Sequence, residues 1–164
     1  MKPPICLFDS GIGGLTVLKK LINKFPNEDY IYLADLARVP FGDKTKEEIT
    51  TIANEIIEWL SKFNPKVIIM ACNTSSAVLS GQNHISRIPL YGMINCTAQF
   101  ISNSNYDEVS VWATKLVVET NAYKKAINKI NPNMKVQEIA CPKLVPMIED
   151  LSFNPEEKVK IISE

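Results

Sequence analysis

Histidine is nearly missing from this chain: His84 stands alone, and none of the four cysteines (Cys6, Cys72, Cys96, Cys141) shares a CxxC spacing with another. A structural zinc site, which draws closely spaced Cys and His ligands, is therefore not expected, and no metal is assigned. A lone histidine reads as a surface or helix-end residue. Net charge is missing as well. Eighteen Lys and Arg balance eighteen Asp and Glu, which leaves no basic footprint for nucleic acid and no polybasic patch for a membrane. Any ligand must be recognised by local geometry. No apolar run approaches the ~18 residues of a membrane helix. Before Asp9 only Ile5-Cys6-Leu7-Phe8 is apolar, too little for a secretory signal. A cytoplasmic protein with reduced thiols is the expectation. Repeats and low-complexity linkers are also lacking, although the polar run Ser102-Asn103-Ser104-Asn105 suits a boundary between lobes.

What remains is an ordinary globular composition, 46% hydrophobic and 22% charged over 164 residues, enough for one sizeable domain. Short runs rich in Ile and Val alternate with helix-like stretches, the pattern of an α/β fold with a parallel sheet and flanking helices. Strands are expected at 5–8, 30–33, 67–71, 90–94, 109–113 and 136–140. Most lack polar alternation and should be buried on both faces. Helices are expected at 15–24, 46–63, 120–130, from Pro142 to about 151, and at 155–163 behind the cap Asn154. In the second of these, Ile49, Ile52, Ala53, Ile56, Ile57 and Leu60 fall on one face.

Ligands of open parallel sheets bind beyond the carboxyl ends of the strands, so the turn after each strand matters most. Asp9-Ser10-Gly11-Ile12-Gly13-Gly14 is a glycine-rich turn between a strand and a helix. It fails the dinucleotide pattern because Thr16 stands where the last glycine belongs, and it lacks the GK[ST] of a phosphate loop. Asp9 would repel phosphate and suits an ammonium group or proton transfer, or it simply caps a tight turn. The segment from Asp35 to Lys44 contains Arg38, Pro40 and Gly42. It reads as a rigid loop with amides for a small anion, or as a surface loop with an Asp–Arg pair. Third, the strand at 67–71 delivers Cys72-Asn73-Thr74 to the start of a helix. The positive helix end there should lower the thiol pKa from about 8.5 and make Cys72 the most reactive cysteine. A buried structural cysteine is the alternative.

Together these segments resemble the glutamate racemase family: FDSGIGGLTVL at 8–18, ARVPFGDK at 37–44, ACNTSSA at 71–77, WATKLVVETNAY at 112–123 and CPKLVPMIE at 141–149. The resemblance spans nearly all of residues 5–149. It implies a two-lobed α/β architecture, 1–97 forming the first lobe and 98–164 part of the second. It also implies interconversion of L- and D-glutamate without metal or other cofactor, supplying D-glutamate for peptidoglycan, by two cysteines on opposite faces of the substrate α-carbon. On this reading Cys72 is one catalytic thiol and Asp9 assists it near the amino group. Asp9, Ser10, Pro40, Phe41, Gly42, Asn73, Thr74 and Thr114 would contact substrate.

The chain departs from the family pattern at Phe41, where Tyr is usual, at Leu36, where a polar residue is common, and at Val117, where a second threonine often contacts substrate. The family's second catalytic segment, Cys-Thr-His, is not present. Cys96-Thr97 is followed by Ala98, and Cys96 reads as structural. The expectation is a racemase fragment, inactive alone, whose incomplete lobes favour self-association or a homodimer. The competing reading is a non-catalytic remnant that binds a small dicarboxylate or a protein partner.

Overall fold

A computed structural model describes residues 2–80, 88–150, 152 and 154–163; His84 lies outside the described residues. Two parallel sheets form among these residues. The first has the strand order β2-β1-β3-β4, where β1 is Ile5–Asp9, β2 Tyr30–Ala34, β3 Val67–Met70 and β4 Leu90–Gly92. The second pairs β5 (Glu108–Ala113) with β6 (Lys135–Ala140). Each strand expected from the sequence is present, and the fold is an α/β fold of parallel sheet with flanking helices.

The helices are α1 (Leu15–Lys24), α2 (Lys46–Ser61), α3 (Asn73–Leu79), α4 (Met93–Ser102), α5 (Lys115–Thr120), α6 (Ala122–Ile130), α7 (Leu144–Glu149) and α8 (Pro155–Ser163). Among the described residues no helix is long and apolar enough to cross a membrane. A reciprocal cap starts α2: the Glu48 N–H donates to the Thr45 hydroxyl at 3.2 Å, and the Thr45 N–H donates to the Glu48 carboxylate at 2.8 Å. The six apolar residues picked out by periodicity are all buried, each Ile and Leu among them worth ~1.5–3 kcal/mol relative to exposure and Ala53 less. They share a core with Cys6 and Phe8 of β1, Ile68 and Met70 of β3, and Phe41. Asn154 and Glu157 make the same reciprocal cap on α8, each backbone N–H donating to the other's side chain at 2.9 Å.

Three expectations are corrected. The helix predicted at 120–130 begins only at Ala122, because Asn121 adopts a left-handed conformation (φ 51°) that ends α5 and redirects the chain. The strand predicted to 94 stops at Gly92, and α4 begins at Met93. Burial on both faces holds along the whole strand for β1 alone among the described strands. In β5, Val109, Val111 and Ala113 face a second core formed with α4 and α6, while Glu108, Ser110 and Trp112 are exposed. Helices cover one face of that two-stranded sheet, so its strands alternate. The position between residues 97 and 98 falls inside α4, whose Ile94 and Ala98 belong to this second core. Apolar surface also remains open on α1, where Leu15 and Ile22 are exposed, and next to it at Phe25.

Register places the functional turns together. Phe8 of β1 stands level with Leu33 of β2 and with Met70 of β3. The segments that follow these three strands therefore emerge at the same sheet edge.

Candidate functional site

Asp9 closes β1 and is buried, and its carboxylate shapes the turn that follows. Its Oδ1 accepts the Ser10 N–H at 2.8 Å and its Oδ2 accepts the Gly14 N–H at 2.6 Å. The capping role is thus real, and it fixes a carboxylate at the sheet edge. Gly14 is required by close approach. A Cβ there would lie 2.8 Å from the Asp9 Cβ, 2.8 Å from the Tyr32 hydroxyl and 2.9 Å from the Ala71 Cβ.

Cys72 leaves β3 and caps α3. Its sulfur accepts the Ser75 N–H at 3.5 Å, and its thiol donates to the Ser10 hydroxyl at 3.8 Å. The expected lowering of its pKa is reversed. Burial, and then the negative charge of Asp9, push the thiol up, outweighing the donors from Ser75 and Ser10 that favour the thiolate. A helix of seven residues is too weak a dipole to offset the loss of water. Ser75 is fully buried, and among the described residues its hydroxyl oxygen makes no hydrogen bond of ordinary geometry.

Around this thiol lies a cavity of about 310 Å³ lined by Asp9, Ser10, Phe41, Gly42, Cys72, Asn73, Thr74 and Thr114, all expected from the sequence. The loop after β2 reaches it through a cis Val39–Pro40 bond and a 3-10 turn at Phe41–Asp43. Phe41 anchors that turn in the core, and Gly42 lies against Thr114, 3.1 Å from the position a Cβ would occupy. Thr114 comes from the end of β5, and its hydroxyl meets that of Thr74 at 3.2 Å. The cavity thus draws donors from both sheets. Among the described residues Cys72 is the only thiol on its wall, and no group of three His, Cys, Asp or Glu is placed to hold a metal ion.

Other expected residues sit elsewhere. Pro40 is exposed and off the cavity wall; it leads the chain into the turn that carries Phe41 and Gly42. Leu36 points outward, and Val117 is completely buried in the second core. Neither lines the cavity, so the missing polar groups at these two positions take nothing from the wall described here. Arg38 holds the loop to α2 through Asp35 and Glu55, both at 2.6 Å.

Sequence reasoning missed Glu149 and Tyr32. The Ile12 N–H donates to both oxygens of Glu149, at 3.0 and 3.1 Å, so the end of α7 folds back over the glycine turn. Gly11 permits this, since a Cβ would lie 2.2 Å from a carboxylate oxygen. The last residue of CPKLVPMIE was the available signal. Tyr32 donates to the Gly11 carbonyl at 2.8 Å. Burial, followed by the charges of Asp9, Glu149 and Cys72, raises its phenol above the usual value.

These positions alter the expected order of thiol reactivity. Cys96 is exposed, Cys141 half-buried, and Cys6 and Cys72 buried, with burial pushing Cys6 up to about 11. Timed alkylation with iodoacetamide at pH 8, read residue by residue by mass spectrometry, should modify Cys96 first and Cys72 more slowly by ~10-fold or more. Fastest labelling at Cys72 in the folded chain would restore the original expectation.

No family model matches the chain. Among curated proteins it is 43% identical over 152 residues to glutamate racemase 2 of Caldanaerobacter subterraneus subsp. tengcongensis, covering 92% of this chain and 57% of that one. A solved glutamate racemase isoform of Bacillus anthracis superposes with a TM-score of 0.89 at 30% identity, covering 99% of this chain and 60% of the other. That of Francisella tularensis, solved in complex with D-glutamate, gives 0.88 at 37% identity, covering 97% and 60%. The chain spans between about half and 59% of the length of the curated relatives it matches.

Proposed function

Since the chain belongs to the glutamate racemase family, we propose that its cavity is one half of a cofactor-independent site for interconverting L- and D-glutamate, with Cys72 serving one face of the substrate α-carbon. The observation that supports this most is the setting of Cys72: a buried thiol at a cavity wall, beside a fixed carboxylate and a ring of neutral donors. Glutamate presents an ammonium group and two carboxylates. Asp9 suits the ammonium, while Ser10, Asn73, Thr74, Thr114 and the Gly42 backbone suit the carboxylates.

Chemically, the Cys72 thiolate takes the α-proton, the C–H electrons delocalise into the α-carboxylate, and donors on the wall hold the charge that develops there. An ammonium placed against Asp9 offsets the charge that raises the Cys72 pKa, so substrate itself helps to ionise the thiol. Inversion then needs an acid on the opposite face. Cys72 alone can return a proton only to the face it came from, so this chain by itself is read as unable to racemise. In the whole protein the product would feed peptidoglycan synthesis in the cytoplasm. The open apolar side of α1 and the exposed face of β5 favour self-association of the isolated chain.

The test is exchange of the glutamate α-proton with solvent, followed by NMR in deuterated water. Exchange should be present in the parent chain, lost in Cys72→Ala and unchanged in Cys96→Ser. Exchange that survives in Cys72→Ala would remove the thiol from its assigned role.

A further inference from the structure

We infer that Tyr123 is a positioning residue that holds the Asn73 side chain with its amide nitrogen toward the substrate cavity, so that α6 helps to set anion recognition beside Cys72. The inference rests on the reading of that cavity as a glutamate site. Asn73 stands between two cavities. It lines the one that holds Cys72, and it also lines a neighbouring space of about 450 Å³ on the side of the second sheet. Tyr123 and Thr97 line only the second space. From there the Tyr123 hydroxyl donates to Asn73 Oδ1.

An amide oxygen can only accept, and the amide nitrogen can only donate. With Oδ1 engaged by Tyr123, the planar group directs Nδ2 away from the second space and toward the wall shared with Cys72 and Thr74. It meets an anionic oxygen there as a donor. Released, the amide could turn and present its oxygen, which a carboxylate repels. The Tyr123 ring is buried with Ile127 and Val117 in the second core, so its position is set by α6 and not by the ligand. Burial also raises its phenol above the usual value, against the opposing effect of the nearby Thr97 side chain, which keeps the O–H a donor through the neutral range.

The experiment uses Tyr123→Phe, which keeps the buried ring and removes only the hydroxyl, with the urea midpoint as a check on folding. The Asn73 side-chain amide, assigned by its loss in Asn73→Ala, is followed by ¹⁵N NMR, and D- and L-glutamate are titrated into each protein. In the parent chain the two amide protons should be well separated and slow to exchange. In Tyr123→Phe the separation should collapse, exchange should quicken about 10-fold, and glutamate should bind about 10-fold more weakly. In an Asn73→Ala background the same change should weaken binding less than about twofold, as expected for residues acting as a unit. An Asn73 amide unchanged by Tyr123→Phe, or full additivity of the two substitutions, would overturn the inference. Glutamate failing to bind the parent chain would instead sink the proposed substrate, and the amide spectra alone would then decide whether Tyr123 orients Asn73.

Discussion

Incubated with L-glutamate or D-glutamate in deuterated water, the chain is expected to take up deuterium at the α-carbon of one enantiomer and to leave the enantiomer ratio unchanged. The reason is geometric. Cys72 is the only thiol on the cavity wall among the described residues, and a single acid–base group exchanges a proton with retention. Proton transfer by a positioned side chain contributes ~10²–10⁴-fold, so Cys72→Ala should lower deuterium uptake by at least ~10²-fold. Polarimetry or chiral chromatography, run beside the NMR measurement, separates exchange from inversion. Joining the chain to the remaining C-terminal part of a glutamate racemase relative should restore inversion, and Cys72→Ala in that fusion should abolish it. Robust racemisation by the chain alone would overturn the one-thiol reading. The acid would then have to come from a second copy or from Cys141, which lines the neighbouring cavity and shares its wall with Asn73 and Thr114.

The site was legible in the sequence to the extent that it is built from strand ends. Asp9 and Cys72 each end or follow an apolar run, and parallel pairing must bring the ends of such runs together, whereas Thr114 follows a strand of the other sheet and reaches the cavity by packing that no strand pairing dictates. The buried face of α2 was equally readable, because a 3.6-residue period has one solution. What escaped prediction depends on partners distant in sequence. Glu149 meets Ile12 across 137 positions, and Tyr123 meets Asn73 across 50. Each closes a segment quoted for the family resemblance, WATKLVVETNAY and CPKLVPMIE, but nothing in the local pattern names the partner it meets. The pKa of Cys72 escaped for a related reason. Its place at a helix start is a local fact that argues for a lowered value, whereas burial and the proximity of Asp9 arise from packing and act the other way. Val117 shows the same limit. As a word in a motif it stands for a missing hydroxyl, but in the fold it is a core residue with no exposure.

The pH dependence of that thiol carries the second large effect. If catalysis needs the thiolate and the folded protein holds Cys72 above its ordinary value, exchange at low glutamate should rise about tenfold per pH unit from pH 7 upward, with its midpoint above that of an ordinary thiol. At saturating glutamate the substrate ammonium offsets Asp9, so the profile should level off at lower pH. The midpoint can be read without substrate, from the alkylation rate of Cys72 in a Cys96→Ser, Cys141→Ser background. Asp9→Asn should move it down by removing the second-largest cause of the rise. Ser75→Ala should move it up, because the buried hydroxyl that favours the thiolate is lost while the backbone N–H remains. Stability should follow the same logic with a defined sign. A thiol whose folded pKa is raised contributes stability that is fully present below its unfolded value and is lost as pH climbs through the folded one. For Cys6 that window runs from the ordinary value of 9.0 to about 11, so the urea midpoint should fall across it. Cys6→Ala should flatten that fall, at the separate cost of a small cavity beside Phe8. A Cys72 alkylation midpoint below that of an ordinary thiol, or shifts of the same sign in Asp9→Asn and Ser75→Ala, would show that burial and Asp9 do not govern this thiol.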